Sequence, residues 1–296
     1  MNMGSKPTKE QEEDEEKRRN GLCFGQCLVS PEILAVVFSF LGARDLAFTC
    51  SRVCRAWRNI VYDPYTWILA LKRKGFSIVA LSDDPGLWTL NDLFQFHLKD
   101  PFSRKNLLKN PSGHSGGELA AAAVREGWTI PNNMNHWIVE DPPAGSDSVP
   151  AIVGASSCFV TSYFLSSKSQ CVNLYSEGFS PSFLDRIQPP ILVADWYAAR
   201  FDCGCEYKLE VELRSEANAV IDRFDFHWRE EQWLGKQWHH IHHVFQDYGK
   251  GVKYVNFVHH GKDTQFWAGH YGVKIAGSLV KVLIPGNLEC IYCQSS

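Results

Sequence analysis

Residues 28–67 read LVSPEILAVVFSFLGARDLAFTCSRVCRAWRNIVYDPYTW, and two apolar periodicities in this stretch restrict the fold more than any other feature of the chain. Ile33, Leu34, Val37, Phe38 and Leu41 recur at spacings of one, three, one and three residues, which lays a stripe along one face of a helix. Pro31 suits the first helical turn, and Ser30 the N-cap before it. Gly42 is expected to stop this helix and Asp45 to start a second, whose stripe runs through Ala47, Cys50, Val53, Cys54 and Trp57. Two short amphipathic helices build only a small core. Part of their apolar surface is therefore expected to be covered by another protein.

The remaining composition bounds the setting. The chain has 296 residues, enough for one medium domain and a smaller one, and 45% hydrophobic with 21% charged residues is the balance of a folded protein. A net charge of −3 leaves no broad basic field, which argues against nucleic acid as a principal partner. Residues 10–16 read EQEEDEE where a secretory leader needs an apolar run, and no stretch approaches the ~20 apolar residues of a membrane span. A cytoplasmic protein with no stable membrane anchor is expected. Its ten cysteines form no framework typical of small secreted domains and are expected to be reduced. The sequon-like Asn110-Pro111-Ser112 is disqualified by its proline. Ten Trp and eighteen Phe exceed what a core requires, and surplus aromatics are a resource of binding surfaces.

Residues 1–22 have the composition of a disordered acidic tail. The helical module is placed at 23–68 and a helical linker at 69–112, with Leu87, Leu90, Leu93, Phe94 and Leu98 marking its second helix. After 113 helical periodicity gives way to alternation. The clearest case is 206–214, where Tyr207, Leu209, Val211 and Leu213 point one way and Glu206, Lys208, Glu210, Glu212 and Arg214 the other. Further strands are expected at 136–140, 171–174, 191–196, 220–228, 238–245, 252–259 and 279–284, separated by turn signals such as Pro189-Pro190 and Tyr248-Gly249-Lys250-Gly251. The expected fold class is α+β and multidomain: a small helical module, a helical linker, and an antiparallel β-sandwich over 113–286, followed by a tail at 287–296.

The first of these modules resembles the F-box. Leu28, the run Pro31-Glu32-Ile33-Leu34, Phe38-Ser39-Phe40-Leu41, Asp45-Leu46, Val53-Cys54, Trp57-Arg58, Asp63 and Trp67 stand in family order, with Ser30 where the family has leucine. The resemblance implies docking on the Skp adaptor of a cullin-RING (SCF) ubiquitin ligase through Leu28, Pro31, Ile33, Leu34, Val37, Phe38, Leu41, Val53, Trp57 and Trp67. On this reading charges at both Leu34 and Phe38 are expected to abolish docking. The sandwich resembles the F-box-associated (FBA) domain of sugar-recognising F-box proteins, through Leu107-Leu108-Lys109-Asn110-Pro111, Gly127-Trp128, Gln188-Pro189, Asp195-Trp196-Tyr197, Arg200, Asp202-Cys203-Gly204-Cys205, Asp247-Tyr248-Gly249, His260-Gly261, Asp263-Thr264 and Trp267-Ala268-Gly269. That resemblance implies a jelly-roll-like sandwich whose loops grip high-mannose N-glycans of misfolded glycoproteins bound for ER-associated degradation. Carried over residue by residue, the site falls on Tyr163, Asp202, Phe266, Trp267 and Ala268, with Phe159 the alternative to Tyr163. The best-known family form has Tyr-Trp-Lys at the last loop, where this chain has Phe266-Trp267-Ala268. The physical requirement is simple: an indole face stacks on the C–H face of a pyranose while a carboxylate accepts from its hydroxyls. Taken alone, Trp267 also fits a core position and Asp202 a turn cap. An SCF receptor for non-glycan clients, or a lectin-like module acting without a ligase, is the alternative role.

Other chemistries find less support. His239, His240, His242 and His243 crowd one strand, yet alternation splits them into pairs on opposite faces, and Cys203-x-Cys205 and Cys290-x-x-Cys293 do not complete a four-thiol set. No metal and no cofactor are expected. There is no phosphate-binding glycine loop, no G-x-S-x-G elbow and no HExxH pair, so no catalytic residue is assigned. The final Cys293-Gln294-Ser295-Ser296 is a poor prenylation box, having two polar middle positions.

Overall fold

The computed structural model describes Lys9 and residues 21–24, 27–74, 88–103, 106–113, 126–134 and 136–284. The expectations for most of the acidic tail, for Leu87, and for Cys290, Cys293 and the rest of 287–296 lie outside the described residues. The chain divides into two compact units, Met1–Pro101 with Gly178–Ser180, and Phe102–Glu177 with Pro181–Ser296.

In the first unit a two-rung hairpin, β1 (Cys23–Phe24) and β2 (Cys27–Leu28), precedes α1 (Pro31–Phe38). Ser30 caps α1, its hydroxyl accepting from the Ile33 amide at 3.4 Å. The helix closes at Phe38, short of Gly42: beyond it the Phe40 and Leu41 amides donate to Val37 O (3.2 Å) and Phe38 O (2.9 Å), a tightened last turn, and the Ser39 hydroxyl donates to Val36 O (2.6 Å). The second stripe is not one helix either. A π turn (Asp45–Thr49) runs into a 3-10 turn (Cys50–Arg52), and α2 (Arg55–Val61) starts afresh after an extended Cys54 whose sulfur accepts from the Trp57 amide. Side chains compete for the ladder here, since the Ser51 hydroxyl donates to Ala47 O and Arg58 Nε takes Ser51 O. Asp63 caps α3 (Pro64–Arg73), accepting from the Tyr65 amide at 2.9 Å. The expected linker helix is α4 (Leu90–Lys99), which opens on a Thr89/Asp92 capping box and ends at Asp100 in the left-handed region. Rather than standing apart, α4 packs on the F-box-like helices. Phe94 meets the buried Trp67 edge-on at 5.8 Å, and His97 Nε2 lies 2.9 Å from Leu41 O.

The second unit is an antiparallel sandwich. One sheet has the order β5 (Ser166–Asn173), β10 (Val252–Asp263), β7 (Cys205–Ser215), β8 (Val220–Glu230); the other has β3 (Trp137–Glu140), β4 (Cys158–Thr161), β11 (Lys274–Val282), β6 (Ile191–Ala198), β9 (Trp238–Phe245). Strand β7 carries the alternation read from sequence, with Cys205, Tyr207, Leu209, Val211 and Leu213 fully buried. Strand β4 was not anticipated; its four residues are all buried and so show no alternation. Strands β6 and β11 are likewise buried on both faces; over β4 and the start of β11 the cover comes from residues 141–157, which place Val149 and Val153 against Cys158, Val160 and Ala276.

The space between the sheets is not wholly apolar. Asp195 on β6 accepts from Ser278 Oγ (3.0 Å), His259 Nε2 (2.6 Å), the Trp196 amide (3.1 Å) and the Tyr207 hydroxyl. Beside it the fully buried Lys168 places its ammonium nitrogen 3.1 Å from the Phe159 ring centre and 3.8 Å from that of Trp128. Burial holds Lys168 well below the usual lysine range and lowers His259 to about 4. The geometry explains the second shift: His259 spends one ring nitrogen on Asp195, and its Nδ1 has no partner among the described residues, so protonation would leave a bare N–H in the core. With the folded value near 4 and the unfolded near 6.5, the unfolded chain takes up the proton first, so stability falls as pH drops from about 6.5 to about 4. Thermal melts of the full chain over that range are expected to show a decline that His259→Gln flattens by up to about 3 kcal/mol. An unchanged slope in the variant would assign the acid sensitivity elsewhere.

Candidate functional site

The residues expected to face an adaptor separate into two sets. Leu34 and Phe38 are 2% exposed and Trp67 3%, all within the core of the helical unit. Trp57 is half-buried, edge-on to Phe38 at 4.9 Å, with Nε1 donating to Gly21 O at 2.7 Å. On the outside lie Pro31, Ile33 (58% exposed), Val37 (52%), Leu41 and Val53, joined by Val36 and by Phe40, over which the Arg73 guanidinium stacks at 3.2 Å. The Leu28 side chain is outside the described residues. A charge at Leu34 or Phe38 therefore strikes the unit's own core, whereas Ile33 and Val37 are the positions open to a partner.

In the sandwich, antiparallel pairing brings the β4–β5, β6–β7, β8–β9 and β10–β11 connections to one end. They are tied together there. Asp263 N donates to Ser162 O (2.9 Å), the Ser162 hydroxyl to Gly269 O (2.7 Å), Gly204 N to Gln265 Oε1 (2.9 Å) and Gln232 Nε2 to Asp202 O (3.0 Å). Phe266 stands at a φ of 57° and is 71% exposed, its amide held by the buried Asp263 carboxylate at 2.7 Å. Trp267, 38% exposed, rests its ring edge-on to Tyr271 at 5.7 Å. Tyr271 in turn lies 4.9 Å from the Arg200 guanidinium, and Arg200 Nε donates to Asp202 Oδ1 at 2.6 Å. Asp202 is thus a matched carboxylate rather than a free acceptor, and its bond keeps the Arg200 guanidinium above the usual arginine range. Ala268 is exposed beside Trp267.

Tyr163 lies in the β4–β5 loop, half-buried, with its ring 4.3 Å from the exposed Phe164; Phe159 is fully buried in the core. The structure therefore brings Phe266, Trp267, Ala268 and Asp202 to one end of the sandwich, and Tyr163 onto a loop that borders it. Sequence reasoning gave no role to Tyr271, Phe201, Trp233 or Leu234. Trp233 (66% exposed) and Leu234 (72%) project from the β8–β9 loop, and Phe201 meets Trp233 at 6.2 Å. An available signal was two large apolar residues, Trp233-Leu234, in a connection whose Gly235 marks it as a turn.

The histidine strand divides as its alternation requires. His239 and His243 pack inward, His243 stacking on Phe224 at 4.4 Å and 6°, while His240 lies over Trp196 at 4.6 Å and near His242. Cys203 and Cys205 are buried thiols, pushed up to about 11 in the first case and well above the ordinary value in the second. No group of three or more metal-ligating side chains occurs among the described residues. Nor, among them, is any helix long and apolar enough to cross a membrane.

Comparison with known proteins accounts for both units. Residues 31–68 match the F-box-like family model and residues 98–282 the F-box associated region. Human F-box only protein 17 is 35% identical over 86% of this chain and 91% of its own length; mouse F-box only protein 27 is 35% identical over 86% and 89%. Bovine F-box only protein 6 is 34% identical over 84% and 90%. Among solved structures, TmCBM61 in complex with beta-1,4-galactotriose superposes with a TM-score of 0.37 over 60% of this chain and 99% of that chain at 13% identity, which bears on neither fold nor ligand here. An F-box-like segment followed by an F-box associated region, shared with these relatives over most of its length, makes this chain a member of the F-box only protein family.

Proposed function

We propose that this chain is the substrate-recognition subunit of an SCF ubiquitin ligase, acting in the cytoplasm and without catalysis of its own. Its helical unit docks on the Skp adaptor, and the loop end of its sandwich holds high-mannose N-glycans of misfolded glycoproteins destined for ER-associated degradation. The observation that carries the glycan reading is Trp267: a large indole, partly exposed, braced edge-on by Tyr271 beside the Arg200–Asp202 pair. An apolar face next to fixed donors and acceptors is what a pyranose requires. Ala268 supplies no ammonium; the Arg200 guanidinium lies over Tyr271, the ring that braces Trp267. A protein-directed client site is the second reading, favoured by the exposed Phe201, Trp233 and Leu234 at the same end.

The adaptor interface is tested by placing charge on residues that the unit itself does not bury. Ile33→Asp with Val37→Asp is expected to eliminate co-purification with Skp and cullin while leaving the thermal transition intact, because a charge buried at an apolar interface costs several kcal/mol. Leu34→Asp is expected to lower the transition itself. Full retention of adaptor by the double variant would place docking on another surface.

The glycan reading predicts that the full chain binds a high-mannose glycoprotein, more strongly after its denaturation exposes the innermost sugars. Trp267→Ala should weaken binding by ~2 kcal/mol, or about thirtyfold, as loss of a central aromatic anchor does. Binding that survives enzymatic removal of the glycan would favour the protein-directed reading. Absence of binding to either form would refute both for that client.

A further inference from the structure

The outer face of the β5–β10–β7–β8 sheet carries a recess of about 320 Å3 that the loop-end reading does not use. Its walls are Leu165, Glu206, Lys208, Glu210, His227 and His260. Tyr207 is fully buried on the inner face, and a Cβ at Gly261 would meet Val273 and Thr161 on that same side, so the floor is main chain of β7 and β10. Pairing sets the walls: Lys208 sits opposite His227 on one side and His260 on the other.

Every carboxylate in the recess is already matched. Glu206 pairs with Arg229 and Lys262, each at 3.2 Å; Glu210 pairs with Lys208, with Arg223 at 2.9 Å and with His260 at 3.1 Å. A cation must displace one of these partners to bind, and an anion must sit beside the two carboxylates. A neutral ligand whose hydroxyls both donate and accept need not, since Lys208, His227 and His260 offer donors within one strand spacing of the acceptors Glu206 and Glu210. The wall at Leu165, which is exposed, supplies the apolar contact that a sugar ring presents to its site. Leu165 also belongs to the loop that carries Tyr163 and Phe164. The Lys208–His260 rung lies three residues along β7 from Cys205, the last rung before the loop end, or roughly 10 Å.

We propose that this recess is a second saccharide subsite, taking a neutral hydroxyl-rich ring from the outer part of an oligosaccharide whose inner part lies at the loop end. The inference rests on the saccharide reading of that end only for the identity of the shared ligand. The recess has its own spectroscopic reporters in the His227 and His260 rings.

The test titrates the full chain with two probes, the chitobiose disaccharide and a free high-mannose oligosaccharide, while following affinity and the imidazole resonances. Wild type is expected to bind the oligosaccharide more tightly, with both rings shifting. His227→Ala and Leu165→Ser are expected to weaken it about tenfold while leaving disaccharide affinity and the melting temperature unchanged. His227 makes no hydrogen bond to the described residues, so its removal does not disturb the ion pairs. In Trp267→Ala, ring shifts should persist at high oligosaccharide concentration. Rings that stay still while Trp267→Ala abolishes binding would overturn the subsite and keep the loop end. Rings that shift while Trp267→Ala changes nothing would keep the subsite and overturn the loop end. Larger ring shifts with inorganic phosphate than with either sugar would overturn the neutral ligand class.

Discussion

The carboxylate of Asp195 is the one polar group on which the geometry of the sandwich turns. It takes hydrogen bonds from Ser278 on β11, from Tyr207 on β7 and from His259 on β10, so a single side chain on β6 links strands of both sheets. Apolar contacts between sheets are non-directional and tolerate sliding, whereas a buried carboxylate with several fixed donors does not. The consequence reaches the loop end. Strands β6 and β10 run out into the loops of Asp202 and Trp267, and β7 and β11 receive those same loops. The four strands tied by Asp195 are therefore the four that frame the Arg200–Asp202 pair and the Phe266–Trp267 turn.

Much of this was legible because it rests on periodicity and local chemistry. The cap at Ser30, the alternation of β7 and the split of the histidine strand all follow from residues near each other in sequence. What escaped depends on contacts across the chain. In α1, Leu34 and Ile33 are one residue and about 100° apart, so one stripe contains both a core residue and an exposed one. Periodicity marks the stripe but cannot divide it between the unit and a partner. Strand β4 escaped because the cover provided by 141–157 hides its outer face, which removes the wet positions that make alternation visible. At the loop end, family resemblance pointed to Phe266 and Trp267, and the structure places both there, but the neutralisation of Asp202 by Arg200 is a matter of how one turn folds.

The turn that presents Phe266 shows that the fold accepts a cost to keep these aromatics outward. A non-glycine residue in the left-handed region costs roughly 1–2 kcal/mol, and both Phe266 and Trp233 stand there with their rings largely in solvent. Asp263 holds Phe266 in place from below. Burial raises the Asp263 carboxyl, and its Oδ2 has no partner among the described residues, so this anchor adds a desolvation cost to the strain. Neither cost is offset by burial of the Phe266 ring, which is 71% exposed.

Loop end and sheet face also share an electrostatic character that limits what they can select. At the first, Asp202 is matched by Arg200; on the second, Glu206 is matched by Arg229 and Glu210 by Arg223. Long-range attraction between surface and ligand is weak when charges are already paired at 2.6–3.2 Å. Discrimination must then come from shape, from stacking on exposed rings, and from hydrogen bonds to groups whose positions the ion pairs fix in advance. Such a surface favours neutral, hydroxyl-bearing ligands over charged ones, and its affinity should depend little on salt. With a net charge of −3 on the whole chain, long-range steering adds little to that selection, which leaves it to short-range fit.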